Sequence, residues 1–111
     1  MRKALIVAIH KYPNAPLYGC IKDATAIGTI IETNGDGSPN FDMKLCTDVK
    51  TKGELKGHIK KLFAGNSDTA LFYFSGHGYI DDLGNGIITT PDYQKNDEGI
   101  LMDEILNIAN E

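Results

Sequence analysis

The sequence predicts an α/β domain with a mostly parallel sheet and helices on both of its faces. Three observations carry this. Residues 3–9, KALIVAI, are an apolar run with β-branched members, the pattern of a strand covered on both faces. Residues 69–76, TALFYFSG, are a second such run. Around them, apolar residues recur at helical spacing, and alternation of strand and helix calls for parallel strands joined by right-handed crossovers.

Taken in order, the first strand gives way to a loop, HKYPNAPLYGC, and a helix is expected from Asp23, whose carboxylate can cap it. Ala24, Ile27, Ile30 and Ile31 form its apolar face, and Asn34-Gly35 ends it. NGDGSPN reads as a loop and FDMKLCTD as a weaker strand. Thr51 with Glu54 three residues later is a capping box, followed by Leu55, Ile59, Leu62 and Phe63 as the buried stripe of a second helix that stops at Gly65. After the third strand come a turn at residues 83–86, LGNG, a short strand IITT, and a closing helix LMDEILNIAN with Leu101, Ile105 and Ile108 or Ala109 inward.

Composition narrows the function. At 111 residues, 41% hydrophobic and 23% charged, the chain is one ordinary domain with material for a core. Its net charge of -4 and lack of a Lys/Arg track argue against a nucleic-acid partner. Lys56, Lys60 and Lys61 read as the solvated side of the second helix. The apolar run Ala4 to Ile9 is too short for a signal core or a membrane span, so a cytoplasmic protein with no membrane partner is expected. Two cysteines, Cys20 and Cys46, do not make a disulfide framework and fit a reducing compartment. No compact Cys/His ligand spacing and no phosphate-binding glycine loop is present.

The chemistry-bearing stretch is Ser75-Gly76-His77-Gly78. In parallel α/β sheets, catalytic groups gather at the carboxyl ends of strands. An imidazole there can take and return a proton near neutral pH. Flanking glycines let a substrate backbone approach, and the Gly78 amide is free to point at a bound oxygen. The competing reading is a loop histidine between turn glycines with no chemical duty. Cys20 lies in the loop at the same end, whereas His10 shows no evident role, His58 falls on a helix surface and Cys46 suits a small core or edge position.

KALIVAI, then LYGCIKDA, then LFYFSGHGYID together resemble the caspase superfamily, and its metacaspase and bacterial caspase-like branch (peptidase C14-type) more than the animal caspases. The resemblance runs through nearly the whole chain and implies a caspase-like three-layer sandwich and cysteine endopeptidase activity through a His-Cys dyad. His77 matches the dyad histidine, and Gly78 matches the oxyanion-hole amide. Ser75 and Gly76 complete the motif beside the substrate. Asp23 matches the acidic residue that selects Arg or Lys before the cleaved bond. Animal caspases hold a substrate aspartate with an arginine where this chain has Leu17. A substrate carboxylate beside Asp23 without that arginine would be poorly compensated, so cleavage after Arg or Lys is expected. Cys20 matches a cysteine close to the dyad that is not the principal nucleophile. The resemblance implies no required cofactor. Asp92 and Asp103 match acidic calcium (Ca2+) ligands of some metacaspases, with Met102 where that pattern has another Asp, so only part of such a site is here.

One expected element has no match. The family places its nucleophilic cysteine about 50 residues after the histidine, and Glu111 is 34 residues past His77 (111 minus 77). Residues 1–111 are therefore expected to be the N-terminal part of the catalytic domain, incomplete and ending before the nucleophile strand. Polypeptide substrate, and either the missing C-terminal half or self-association across an open sheet edge, are the expected partners. A truncated or degenerate scaffold that binds without cutting is the alternative, and a flavodoxin-like signalling domain is disfavoured by the absence of an acidic cluster after the first strand.

Overall fold

The computed structural model describes residues 1–110. Its first sheet has the order β2-β1-β3, with β1 (Arg2–Ala8), β2 (Phe41–Cys46) and β3 (Thr69–Ser75) all parallel. β1 takes the centre because its side chains are buried from Ala4 onward on both faces. Leu5, Val7 and Ile9 enter one core cluster, and Ile6 and Ala8 the other, as a period-2 strand between two helical layers requires. The helix α1 (Cys20–Glu32) covers the second cluster with Cys20 and Ala24. On the opposite face α2 (Lys52–Phe63) packs Leu55, Ile59 and Leu62, joined by Ile105 of α3 (Met102–Ala109).

Beside this sheet lies an antiparallel one, β4-β5-β6, made by β4 (Gly78–Ile80), β5 (Gly86–Gln94) and β6 (Asp97–Leu101). It sends Ile88 and Ile100 into the α2 side of the core. The α/β sandwich expected from sequence is thus present, with the hairpin region enlarged into a sheet of its own.

Several local expectations are corrected. α1 begins at Cys20, not Asp23: Gly19 precedes it at φ 90, and the Asp23 N–H donates to the Gly19 carbonyl at 3.0 Å in the first turn. The left-handed backbone that turns the loop into the helix is cheap only for glycine, so Gly19 performs the entry that was assigned to the Asp23 side chain. α1 also ends at Glu32, with Thr33 extended, and Ile30 is solvent-exposed. β3 is half-buried from Ala70 onward, not buried on both faces, because among the described residues it is an edge strand with β1 on one side only. Leu101 belongs to β6 and is exposed, as is Ala109, leaving Ile105 and Ile108 as the inward residues of α3. The Thr51 cap is as expected, its side chain accepting from Glu54 N at 3.1 Å, but Glu54 reaches back to Lys50 N rather than to the cap residue.

Candidate active site

His77 follows the carboxyl end of β3, between that strand and β4. Its half-buried ring is fixed on two sides. Nε2 lies 2.7 Å from the Ala15 carbonyl oxygen in the loop after β1. A carbonyl can only accept, so Nε2 carries the proton, and in the neutral ring Nδ1 is left with a lone pair. The ring also meets that of Tyr12, with centroids 4.5 Å apart and planes tilted by 59°.

Tyr12 is itself tied in. Its hydroxyl accepts from the His77 backbone N–H at 3.0 Å and donates to the Thr89 carbonyl of β5 at 2.8 Å. Burial pushes this phenol up to about 12, with a smaller upward push from Cys20 and an opposing pull from the His77 amide. It therefore stays a hydrogen-bond donor at physiological pH.

Gly76 is a matter of space. A Cβ there would lie 2.6 Å from the Tyr12 hydroxyl and 2.7 Å from Phe74 Cζ, so any larger residue displaces the ring that holds His77. Gly78 is exposed and opens β4. It pairs with Ile88, and the flanking Thr89 N–H donates to the His77 carbonyl at 3.0 Å. That makes Gly78–Ile88 a non-hydrogen-bonded pair of the antiparallel ladder, so the Gly78 N–H is directed away from β5. Ser75 is the last residue of β3, its carbonyl accepting from Ile9 N at 2.9 Å.

The other sequence-identified residues fall into two groups. Cys20 belongs to the same end of the sheet. It is buried, and its thiol donates to the Ile9 carbonyl at 3.5 Å, so Ile9 links it to Ser75. Asp23 lies one turn into α1 with its side chain exposed. The calcium-type positions have different surroundings. Asp92 accepts from Lys52 N and from the Thr90 hydroxyl, anchoring the start of α2, while Asp103 sits exposed in the first turn of α3. Among the described residues no group of three His, Cys, Asp or Glu side chains could hold a metal ion. Cys46 ends β2 and is half-buried, and burial pushes its thiol up. His58 is less exposed than a helix-surface residue, with Nδ1 3.3 Å from Lys44 Nζ. His10, which offered no role from sequence, has a buried Nδ1 without a hydrogen-bond partner among the described residues.

Sequence reasoning missed Tyr12 and Ala15. No residue type marks a carbonyl that orients an imidazole, and the only trace of Tyr12 in the sequence is an aromatic residue in the loop facing the S-G-H-G stretch.

No helix among the described residues is long and apolar enough to cross a membrane. No curated protein matches the chain. The family model described as caspase domain, of peptidase family C14, matches residues 1–110. With the parallel sheet, its helices on both faces and a histidine at the carboxyl end of β3, this match identifies the chain as a member of the caspase-domain family.

Proposed function

We propose that the domain containing this chain is a cysteine endopeptidase that cuts polypeptides after Arg or Lys through a His-Cys dyad. The observation that carries the reading is the state of His77 in a caspase-family domain: Nε2–H is spent on the Ala15 carbonyl, and Nδ1 keeps its lone pair for chemistry. In this mechanism Nδ1 takes the proton of a cysteine thiol, and the thiolate attacks the scissile carbonyl carbon. The oxyanion that forms faces the outward Gly78 N–H. The imidazolium then protonates the leaving amine as the C–N bond breaks. Water, giving its proton to Nδ1, hydrolyses the thioester and restores the thiol.

Neither cysteine of the chain suits the nucleophile. The Cys20 thiol is buried and donates to a backbone carbonyl. Cys46 ends β2, two strand spacings from β3 across β1, or roughly 10 Å at the usual 4.7–4.9 Å per strand. The other edge of β3 is unpaired among the described residues, and a parallel strand added there would bring its carboxyl end within one spacing of His77. The proposal takes the nucleophile from such a strand. It follows that residues 1–111 alone do not cut peptides, and that the open edge, with Ile80 and Met102 exposed in the same surface depression as Phe74 of β3, favours pairing with that segment or with a second copy. The exposed Asp23 carboxylate would hold the basic side chain, and no metal is part of these steps.

A second reading is favoured by those same thiols. With no cysteine in place, this chain is a caspase-like scaffold that binds a partner strand without catalysis. Peptides with Arg, Lys or Asp before the cleaved bond, offered to the native protein isolated from its source, separate the two. Cleavage after Arg or Lys that is lost in His77→Ala supports the protease; faster cleavage after Asp refutes the assigned specificity. No cleavage by a protein that carries the paired strand supports the scaffold.

A further inference from the structure

We infer that Tyr12 is the positioning residue of His77, holding both the histidine and the carbonyl that fixes its tautomer. The inference deepens the proposed dyad reading and rests on it for its catalytic meaning, although the geometry stands independently.

Four contacts converge on this one side chain and its backbone. The hydroxyl accepts the His77 N–H at 3.0 Å, which fixes the start of the segment leading into β4. The same hydroxyl donates to the Thr89 carbonyl at 2.8 Å, which ties the pair to β5. The aromatic face limits rotation of the imidazole. The Tyr12 carbonyl accepts from Ala15 N at 3.3 Å, closing the turn that aims the Ala15 carbonyl at His77 Nε2. Thr89 in turn donates its N–H to the His77 carbonyl, so the backbone of His77 is held on its N–H side by the phenol and on its C=O side by the strand to which the phenol is bonded. Residues with no role at the site do not require this closed circuit. A core tyrosine needs only one partner for its hydroxyl, and this one binds the catalytic candidate at its amide and its ring.

The consequence is chemical. If the imidazole turned or the Ala15 carbonyl withdrew, the proton would redistribute between Nε2 and Nδ1, and the fraction of rings with an Nδ1 lone pair would fall. Tyr12→Phe keeps the ring and removes only the hydroxyl.

The test is nitrogen-15 NMR of the His77 side chain in this chain, together with exchange of the His77 amide, for the native protein and for Tyr12→Phe. The native ring, when neutral, is expected in the Nε2–H form. In Tyr12→Phe an Nδ1–H population appears, and the His77 amide exchanges about fivefold faster, the factor that one net hydrogen bond carries. Tyr93→Phe serves as the comparison, since Tyr93 donates to the Pro13 carbonyl in the same loop at 2.8 Å without touching His77. It is expected to leave the His77 tautomer unchanged. An unchanged tautomer and exchange rate in Tyr12→Phe would overturn the inference, as would an equal shift in Tyr93→Phe, which would assign the effect to loop stiffness. These readouts need no proteolysis, so failure of the dyad reading in a cleavage assay is distinguishable from failure here. Where the native protein cleaves peptides, Tyr12→Phe should lower kcat and leave KM unchanged.

Discussion

Replacing Gly76 with alanine tests how tightly the histidine segment is built. The backbone there is outside the left-handed region, so alanine is allowed conformationally, and with free space it would stabilise the fold by about 0.4–1 kcal/mol through the unfolded chain. Space is what is lacking. The added Cβ would lie 2.6 Å from the Tyr12 hydroxyl and 2.7 and 3.2 Å from Phe74 Cζ and Cε2. The half-buried Phe74 ring on the edge strand can swing aside. The phenol cannot, since it is bonded to Thr89 on one side and to His77 on the other. Overpacking of this kind costs about 1–3 kcal/mol, and losing one of the two phenol bonds adds about 1 kcal/mol. After the unfolded-state gain the net loss is about 2 kcal/mol. In a domain of this size that lowers Tm by roughly 8 °C. Urea unfolding of Gly76→Ala against the native chain measures the loss directly, and exchange of the His77 amide locates it. A variant within about 0.5 kcal/mol of the native protein, with that amide still protected, would refute the claim that Gly76 is required for room.

Two further outcomes follow from the second helix. Gly57 is in the interior of α2 and a Cβ there meets nothing within 4 Å, so Gly57→Ala should raise stability by about 0.8–1 kcal/mol, read as a higher urea midpoint with unchanged slope. Burial first, then the charges of Lys44 and Lys61, hold the His58 imidazole below its ordinary 6.5 against the opposing pull of Glu54. The folded state thus binds this proton less readily than the unfolded one, and the His58 contribution is present above pH 6.5 and lost as pH falls through the folded value. Urea midpoints measured from pH 7.5 down to 5 should decline more steeply for the native chain than for His58→Gln; parallel curves would rule this out.

How far the sequence could be read depended on what kind of physics placed each residue. The central strand was legible because burial on both faces leaves an unbroken apolar run, and β1 has one. The same rule misled for β3, which is as apolar but lies at an edge: hydrophobicity reports that a strand has apolar neighbours, not whether its backbone is paired on both sides. β6 escaped notice since residues 97–99 are Asp, Glu and Gly, poor strand formers that tertiary pairing with β5 overrides. The helix entry at Gly19 was hidden by Asp23, a good cap by type that stands one turn too far in. His77 and the glycines beside it could be found from their placement after a strand. The groups that orient them could not, because one is a backbone carbonyl and the other an aromatic residue 65 positions away.

This division bears on how activity would be controlled. The proposed general base, the carbonyl that fixes its tautomer, the outward amide and the exposed carboxylate of Asp23 come from the segment after β3, the loop after β1, β4 and α1, all carried by elements packed on the two core clusters that flank β1. The thiol is the one part that must arrive from elsewhere on the proposed mechanism, and it would arrive along an edge whose hydrogen-bonding groups are unpaired among the described residues. Strand pairing is cooperative along its length and sensitive to register, since a one-residue slip turns every side chain to the opposite face. A slipped strand would therefore point the cysteine away from Nδ1 while leaving the rest of the site intact. Control by register at the β3 edge would switch catalysis without disturbing the groups around His77, which is why the His77 tautomer should be the same whether or not the nucleophile strand is in place.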